Sequence, residues 1–304
     1  MLQAVVIGGA LWFLGWFIYR HRVALAATRL ELSIPDLIAA SALTIATYAF
    51  MVRTWTWTIR WWGGAKLGFA SAWRIWALSN MARFIPGYVW QFAGLAGMAS
   101  RAGVSPIAAT GGVLLQQAIS LLAGLLLCAA LFPALAGAAL PLSYGGAAAI
   151  AVGGLAAAVL LLPHSTALLE KLTRRFFRSG VVFPTLRAGE LALYTGAQIL
   201  PWLTYGVSFW LFAHGLVGDR GPNLALAVAS FTAAYAWGIV WVVAPGGIGV
   251  REAALVALLT PHLGGDVALV LALGSRAWLT VVEIVGALIA IGYAATVSQP
   301  SPTS

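Results

Sequence analysis

The segment APGGIGVREAAL (Ala244 to Leu255) places a Pro-Gly-Gly break and an Arg-Glu pair after about twenty apolar residues. Proline ends the helical hydrogen-bond ladder and glycine relieves crowding, so backbone groups near Pro245 can bind other partners. A helix beginning at Gly249 would direct its N-terminal amides at an anion, and Arg251 would add a full charge. The segment predicts a broken helix beside an anion site. A plain loop, with Arg251 paired to Glu252 or reaching lipid headgroups, is the alternative.

The composition indicates whether this chain folds in water or in a membrane. Of 304 residues, 62% are hydrophobic and 8% are charged, whereas soluble domains have about 45–50% and about 25%. We therefore expect an all-α integral membrane protein, with residues 1–295 forming one polytopic domain and 296–304 a short polar tail. The single cysteine, Cys128, allows no intrachain disulfide and no cysteine-based metal site, and we expect no cofactor.

Apolar runs and the breakers between them predict about eight transmembrane helices. They lie near residues 2–19, 36–60, 68–84, 105–131, 144–163, 190–215, 223–243 and 266–294. The span 68–84 is short for a full crossing and carries Arg74 and Arg83, so a re-entrant segment is the alternative there.

The charge of +9 is concentrated in a few loops between apolar runs. Two loops, 20–34 and 164–187, hold eight of the 17 Lys and Arg residues, which is the positive-inside pattern and does not indicate nucleic-acid binding. An external N-terminus then places these loops in the cytoplasm, together with 85–104 and 245–265. This distribution predicts a multi-pass protein of the cytoplasmic (inner) cell membrane.

A second Pro-Gly break lies in NMARFIPGYVWQ (Asn80 to Gln91). Pro245 follows Pro86 by 245 − 86 = 159 residues, and the same shift superposes span 36–60 on 195–219. We predict two architectural repeats, 36–131 and 195–290, each with a broken or re-entrant segment. Transporters built from repeats often bind substrate where helices break. The predicted helix breaks are Pro86, Gly87, Pro245, Gly246, Gly247 and Gly249.

The last span carries two charges within its apolar sequence. Arg276 and Glu283 are seven residues apart, so they share one helix face that must point away from lipid. An intramembrane charge costs about 2.5–3.5 kcal/mol even on insertion scales. Either the two residues join Arg251, Glu252 or Arg83 in a structural network, or they line a cavity for a charged substrate. Polar residues of the span 105–131 would complete that cavity or act as helix contacts: Gln116, Gln117 and Ser120.

Aromatic residues are abundant, with 14 tryptophans among 304 residues. An interfacial belt at the membrane surface is the simplest interpretation. A stacking surface for a sugar or a base is the alternative.

Three segments together carry a resemblance to a known family: RFIPGYVWQFAGLAGMASRAGV, PGGIGVREAAL and SRAWLTVVE. They are similar to the flippase-like transmembrane domain of the lysylphosphatidylglycerol synthase family. In its two-domain members this domain is thought to move an aminoacylated lipid between leaflets, and a cytoplasmic domain makes that lipid from aminoacyl-tRNA. The matching positions are Asn80, Arg83, Pro86, Gly87, Gln91, Pro245, Gly246, Gly249, Arg251, Glu252 and Arg276.

The resemblance implies a lipid translocase in a free-standing form. Only TVSQPSPTS follows the last span, so we expect no aminoacyl-transferring domain and assign no synthesis to this chain. The expected substrate is an anionic or aminoacylated phospholipid, or a polyprenyl-linked lipid. The candidate substrate-binding residues are Arg83, Gln91, Arg251, Glu252, Arg276 and Glu283.

Two other classes of function were compared with transport. A membrane scaffold or partner of a separate lipid synthase or glycosyltransferase would explain the apolar helices but not the buried charges. The sequence is also compatible with a homo-oligomer. An intramembrane enzyme would need a base with an acidic or nucleophilic partner. His214 and His262 lie near span ends without such a partner at a telling spacing, so we expect no enzyme.

Overall fold

A computed structural model describes residues 30–63, 66–81, 89–136, 187–240 and 249–297, with isolated positions at 19, 146, 149 and 153–154. This part of the chain is helical, apart from short turns and one isolated bridge between Glu31 and Val217. Its helices are α1 (Ile34–Trp61), α2 (Phe69–Met81), α3 (Val89–Arg101), α4 (Pro106–Ala130), α5 (Phe132–Ala136), α6 (Ala188–Val217), α7 (Leu224–Val240), α8 (Val250–Leu263) and α9 (Gly265–Val297), with a 3-10 turn at Gly218–Arg220.

Three of these helices are long and apolar enough to cross a membrane: α1, α4 and the segment Gly265–Gly292 of α9. Local sequence explains where they begin. Pro35 and Pro106 lie in the first turns of α1 and α4, where the missing amide hydrogen costs no helical hydrogen bond. The expected all-α membrane protein is confirmed. The predicted spans 2–19 and 144–163 lie almost wholly outside the described residues, so the helix count stays a prediction.

Three helices beside the Pro-Gly segments have fewer described residues than a full crossing of the hydrocarbon needs. The helices α2 and α3 have 13 residues each, and α8 has 14, which corresponds to roughly 20 Å against the ~30 Å required. Helix α7 has 17 described residues, up to the undescribed residues 241–248, and so reaches the lower limit for a full crossing. These helices form two packed pairs, α2 with α3 and α7 with α8, and each pair flanks one Pro-Gly segment. The Pro-Gly residues 86–87 and 245–247 themselves lie outside the described residues.

The assignment of 85–104 and 245–265 as cytoplasmic loops was incomplete, because α3 and α8 occupy most of them. Both helices bury apolar side chains, among them Leu95 of α3 and Leu255 of α8. Counting only apolar runs of about twenty residues cannot detect helices with 13 or 14 described residues. The short pairs therefore belong to the bundle.

The bounds of the described helices are consistent with the 159-residue shift that the Pro-Gly breaks suggested. Adding 159 to the bounds of α2 and α3 gives 228–240 and 248–260, which overlie α7 and α8. The contacts correspond as well, since α2 packs on α9 and α4 packs on α7, while α1 packs on its counterpart α6. These correspondences support the repeats 36–131 and 195–290, which stay a prediction.

Helices α6 and α7 approach each other very closely. A Cβ atom built on Gly206 would lie 2.6 Å from the Cα of Val228, so any larger residue at 206 would push the helices apart. Small residues allow such backbone contact in membrane bundles, where dispersion replaces the hydrophobic driving force. This contact fixes α7, which carries aromatic residues of the site.

Candidate functional site

A cavity of about 380 Å³ lies among the helices of both halves. Most of its wall is apolar and aromatic, and it includes Trp76 and Trp202. Apart from three tyrosines, its polar lining comes from two arginines, three amides and one serine: Arg251, Arg276, Asn80, Gln91, Gln117 and Ser120. A largely apolar pocket with a few convergent polar groups is the usual form of a ligand site.

Arg251 lies in the first turn of α8 and is 5% exposed. Its guanidinium carbon is 5.0 Å from the ring centroid of Phe231 and 4.8 Å from that of Tyr235, both on α7. The two rings are four residues apart, so they lie on one face of α7. Cation–π contact holds the guanidinium without neutralising its charge.

The terminal nitrogen Nη2 of Arg251 is buried, and it has no hydrogen-bond partner among the described residues. No carboxylate of the described part of the chain lies within salt-bridge distance of Arg251 either. An arginine fork offers several donors and keeps its charge when buried. Arg251 is therefore equipped to bind an anion in the cavity.

Glu252 has a different role from its neighbour. Its Oε2 accepts a hydrogen bond of 2.7 Å from the backbone N–H of Gly249 and caps the start of α8. Gly249 has φ +84°, a left-handed conformation that favours glycine. The Oε1 of Glu252 lies 3.8 Å from Nη1 of Arg276, which is an ion pair between α8 and α9. Glu252 thus fixes α8 and holds Arg276 at the cavity wall.

Glu283 lies behind the wall, two turns beyond Arg276 on α9, and is 9% exposed. Tyr48 of α1, which does line the cavity, donates a hydrogen bond of 2.6 Å to Oε1 of Glu283. A short bond to a carboxylate is among the stronger hydrogen bonds in proteins. It ties α1 of the first half to α9 of the second.

The first half contributes an amide pair. Asn80 is in the last turn of α2 and Gln91 is in the first turn of α3, on either side of the undescribed residues 82–88. The Nε2 of Gln91 donates a hydrogen bond of 2.8 Å to Oδ1 of Asn80. This bond joins the two short helices across the Pro-Gly segment and leaves polar atoms of both amides beside the cavity.

Gln116 and Gln117 are neighbours on α4 with different environments. Gln117 lines the cavity, whereas Gln116 is 2% exposed and donates to the carbonyl of Met51 and the hydroxyl of Thr54. Gln116 is therefore a helix contact. Ser120 lines the cavity, and its carbonyl accepts a hydrogen bond of 2.7 Å from the indole of Trp202.

The model of the lysylphosphatidylglycerol synthase transmembrane region matches residues 1–286 of the chain. The chain belongs to this family. The match confirms the resemblance carried by the three motifs, and it spans nearly all of the described helices. The chain matches no curated protein and no solved structure. The transmembrane region of the lysylphosphatidylglycerol synthase family is flippase-like, so this chain has a lipid-related role in a membrane.

The described helices of this family member bring several of the predicted site residues together. Gln91, Arg251 and Arg276 line one cavity, Glu252 supports it from α8, and Glu283 contacts the lining residue Tyr48. The remaining predicted positions lie outside the described residues: Arg83, Pro86, Gly87, Pro245, Gly246 and Gly247.

The sequence analysis missed the aromatic residues that surround the arginines. Phe231 and Tyr235 hold Arg251, and Trp76 and Trp202 form part of the cavity wall. The only signal in the sequence was the high tryptophan content, which the interfacial belt explained equally well. Arg251 also forms neither of the contacts proposed in the plain-loop alternative, because Glu252 pairs with Arg276 instead.

Proposed function

We propose that this chain is a lipid translocase, in which Arg251 binds the phosphate of an anionic lipid while the headgroup occupies the cavity. The observation that carries the proposal is a buried guanidinium at the cavity, with Nη2 lacking a hydrogen-bond partner among the described residues. The basic loops further support a location in the cytoplasmic (inner) membrane.

The physical need for such a site follows from the charge of the lipid. A phosphate cannot enter ~30 Å of hydrocarbon without groups that replace its water. Arginine provides two parallel donors that match the phosphate oxygens. Because Phe231 and Tyr235 hold Arg251 by their ring faces, its charge is available when the lipid arrives.

Arg276 is suited to bind the phosphate in a second step, after Arg251. Its separation of 3.8 Å from Glu252 lies within ion-pair range but beyond hydrogen-bond range. A phosphate on Arg251 would attract Arg276 away from this loose pair, and Glu252 would hold Arg276 again after release. On this proposal the buried charges exchange partners during transport and are never left uncompensated, which limits the cost of burial.

The lipid tails need a route beside the cavity. Leu114 of α4 lines the cavity, yet 53% of its surface is exposed. Trp237 of α7, one residue before the lining residue Gly238, is 54% exposed. In a membrane these faces meet acyl chains. We propose that the tails stay in the bilayer there while the headgroup crosses inside, within a bundle whose short helix pairs re-enter the membrane.

The test is a leaflet-accessibility assay on purified protein in liposomes that contain fluorescent phosphatidylglycerol. Arg251→Gln should slow lipid movement about 10- to 100-fold, because each charge-assisted hydrogen bond contributes about 1.5–3 kcal/mol. Arg251→Lys should recover part of the rate, since the ammonium keeps the charge but loses the fork.

Arg101→Gln is the matched control, because Arg101 ends α3 with an exposed side chain outside the cavity. It should move lipid like the wild type. Movement that is unchanged in a folded Arg251→Gln variant, or absent in the wild type with every lipid, would reject the translocase and favour the scaffold.

A further inference from the structure

The cavity wall consists of equivalent positions from the two halves of the bundle. The 159-residue shift relates Trp76 to Tyr235, Phe92 to Arg251 and Gln117 to Arg276, since 76 + 159 = 235, 92 + 159 = 251 and 117 + 159 = 276. All six of these residues line the cavity. Among the described lining residues, one side of the cavity is therefore cationic, and the corresponding side of the other half is neutral.

The neutral side retains hydrogen-bonding capacity. The bond from Nε2 of Gln91 to Oδ1 of Asn80 leaves the carbonyl oxygen of Gln91 and the amino group of Asn80 outside it. An amide offers both donors and acceptors, which suits hydroxyl groups, and it carries no charge. Trp76 lies on the same side and offers a flat ring surface.

Carboxylates are scarce around the cavity. The sequence contains eight acidic residues. None of the seven that the structure describes belongs to the cavity lining, and the eighth, Glu170, lies outside the described residues. Glu252 and Glu283 lie nearest in the fold, and they bind Gly249, Arg276 and Tyr48. The undescribed segments 82–88 and 241–248 contain no Asp or Glu. An ammonium in this cavity would face two arginines, with no carboxylate among the described lining residues to compensate it, and like charges repel.

We propose that the cavity selects an anionic lipid whose phosphate carries a neutral, hydroxylated headgroup, and that it discriminates against a cationic aminoacyl headgroup. This inference rests on the proposed function. The phosphate lies against Arg251 and Arg276, and the hydroxyl groups lie against Asn80 and Gln91. Two lipids have this chemistry: a phospholipid with a glycerol headgroup and a polyprenyl phosphate that carries a sugar.

The first experiment compares lipids in liposomes that contain the full chain. The probes are fluorescent phosphatidylglycerol, lysyl-phosphatidylglycerol and a polyprenyl-phosphate hexose. At least one of the two neutral-headgroup lipids should move about tenfold faster than the lysyl lipid, which corresponds to the loss of roughly two neutral hydrogen bonds and added repulsion. The lipid that moves faster shows whether the preferred substrate is a phospholipid or a polyprenyl phosphate that carries a sugar.

The outcomes separate this inference from the proposed function. If the lysyl lipid moves as fast as both neutral-headgroup lipids or faster, the inference is wrong and the translocase stands. If no lipid moves, both are wrong. Native mass spectrometry of the wild-type protein with each lipid gives a readout of binding that does not depend on transport.

The second experiment changes the selectivity. Gln91→Glu places a carboxylate on the neutral side, so the ratio of lysyl-phosphatidylglycerol to phosphatidylglycerol movement should rise about tenfold, as expected for one charge-assisted hydrogen bond. A misfolded variant would lose movement of both lipids and would not reverse their order. Ser100→Glu is the matched control, because it adds the same charge to an exposed position of α3 outside the cavity. An equal change of ratio in both variants would contradict the inference.

Discussion

The two Pro-Gly regions have the same architecture and different chemistry. In each, the end of one short helix contacts the start of the next across the break. In the first region this contact is the hydrogen bond between Gln91 and Asn80, and in the second it is the placement of Arg251 on Tyr235. The first contact is neutral, whereas the second buries a charge.

The two contacts differ in the free-energy cost of burying them. A neutral hydrogen bond would join two short helices without burying a charge, as the first region demonstrates. Burial of arginines and carboxylates in a membrane bundle carries a desolvation cost that packing alone does not require. Among the described residues the buried charges are confined to α8 and α9, and on the proposed function the second region therefore binds the lipid phosphate while the first shapes the cavity.

The largest expected effect is on the ion pair of the second region. Glu252→Gln keeps an oxygen for the Gly249 amide but removes the charge that faces Arg276. Breaking a buried pair on one side costs about 3–5 kcal/mol. We expect a clear fall in the thermal unfolding temperature in detergent.

The double variant Glu252→Gln with Arg276→Gln tests the cause of that fall. Because it removes both charges, it should recover much of the stability lost in the single variant. Glu190→Gln is the matched control, since Glu190 also accepts a backbone amide at a helix start but is exposed on α6. An equally large fall of the unfolding temperature in Glu190→Gln, or no recovery in the double variant, would mean that the ion pair between Glu252 and Arg276 does not cause the loss of stability.

A smaller fall of the unfolding temperature is expected when the hydrogen bond between Tyr48 and Glu283 is removed. Tyr48→Phe removes the hydroxyl that donates to Glu283 and changes little else in the packing. A hydrogen bond to a charged group contributes about 1.5–3 kcal/mol. The unfolding temperature should fall less than in Glu252→Gln. Tyr194→Phe is a useful comparison, because its hydroxyl donates to the neutral carbonyl of Thr54 and should matter less. A larger fall of the unfolding temperature in Tyr194→Phe than in Tyr48→Phe would contradict the expectation that a hydrogen bond to a charged group contributes more than one to a neutral carbonyl.

Sequence alone predicted the long helices well. The bounds 36–60, 105–131 and 266–294 differ by only a few residues from α1, α4 and α9, because continuous apolar runs leave the chain few choices in a membrane. The helices α3 and α8 were assigned to loops, since 13 or 14 residues are too few to give the hydropathy signal of a full span.

The charged part of the site was also accessible from sequence. A buried charge must find compensation, so Arg251, Glu252 and Arg276 could be expected near one another. Their partners could not be chosen, because pairing depends on how α8 lies against α7 and α9. Phe231 and Tyr235 gave no signal, since aromatic residues of an apolar helix look the same whether they face lipid, core or cavity.

The smallest stability effect is expected in the first region. Gln91→Leu removes one neutral hydrogen bond, worth about 0.5–1.5 kcal/mol, at a cavity where water can replace the lost donor. The measurement is a double-mutant cycle of Gln91→Leu with Asn80→Leu, set beside the cycle of Glu252→Gln with Arg276→Gln. The first coupling energy should be about 1 kcal/mol or less and the second clearly larger, because a charge left behind in the bundle has no comparable replacement. Equal coupling energies would contradict the distinction between the neutral first region and the charged second region. A small coupling energy between Gln91 and Asn80 would instead mean that this amide pair contributes little to the stability of the bundle and is available for headgroup selection.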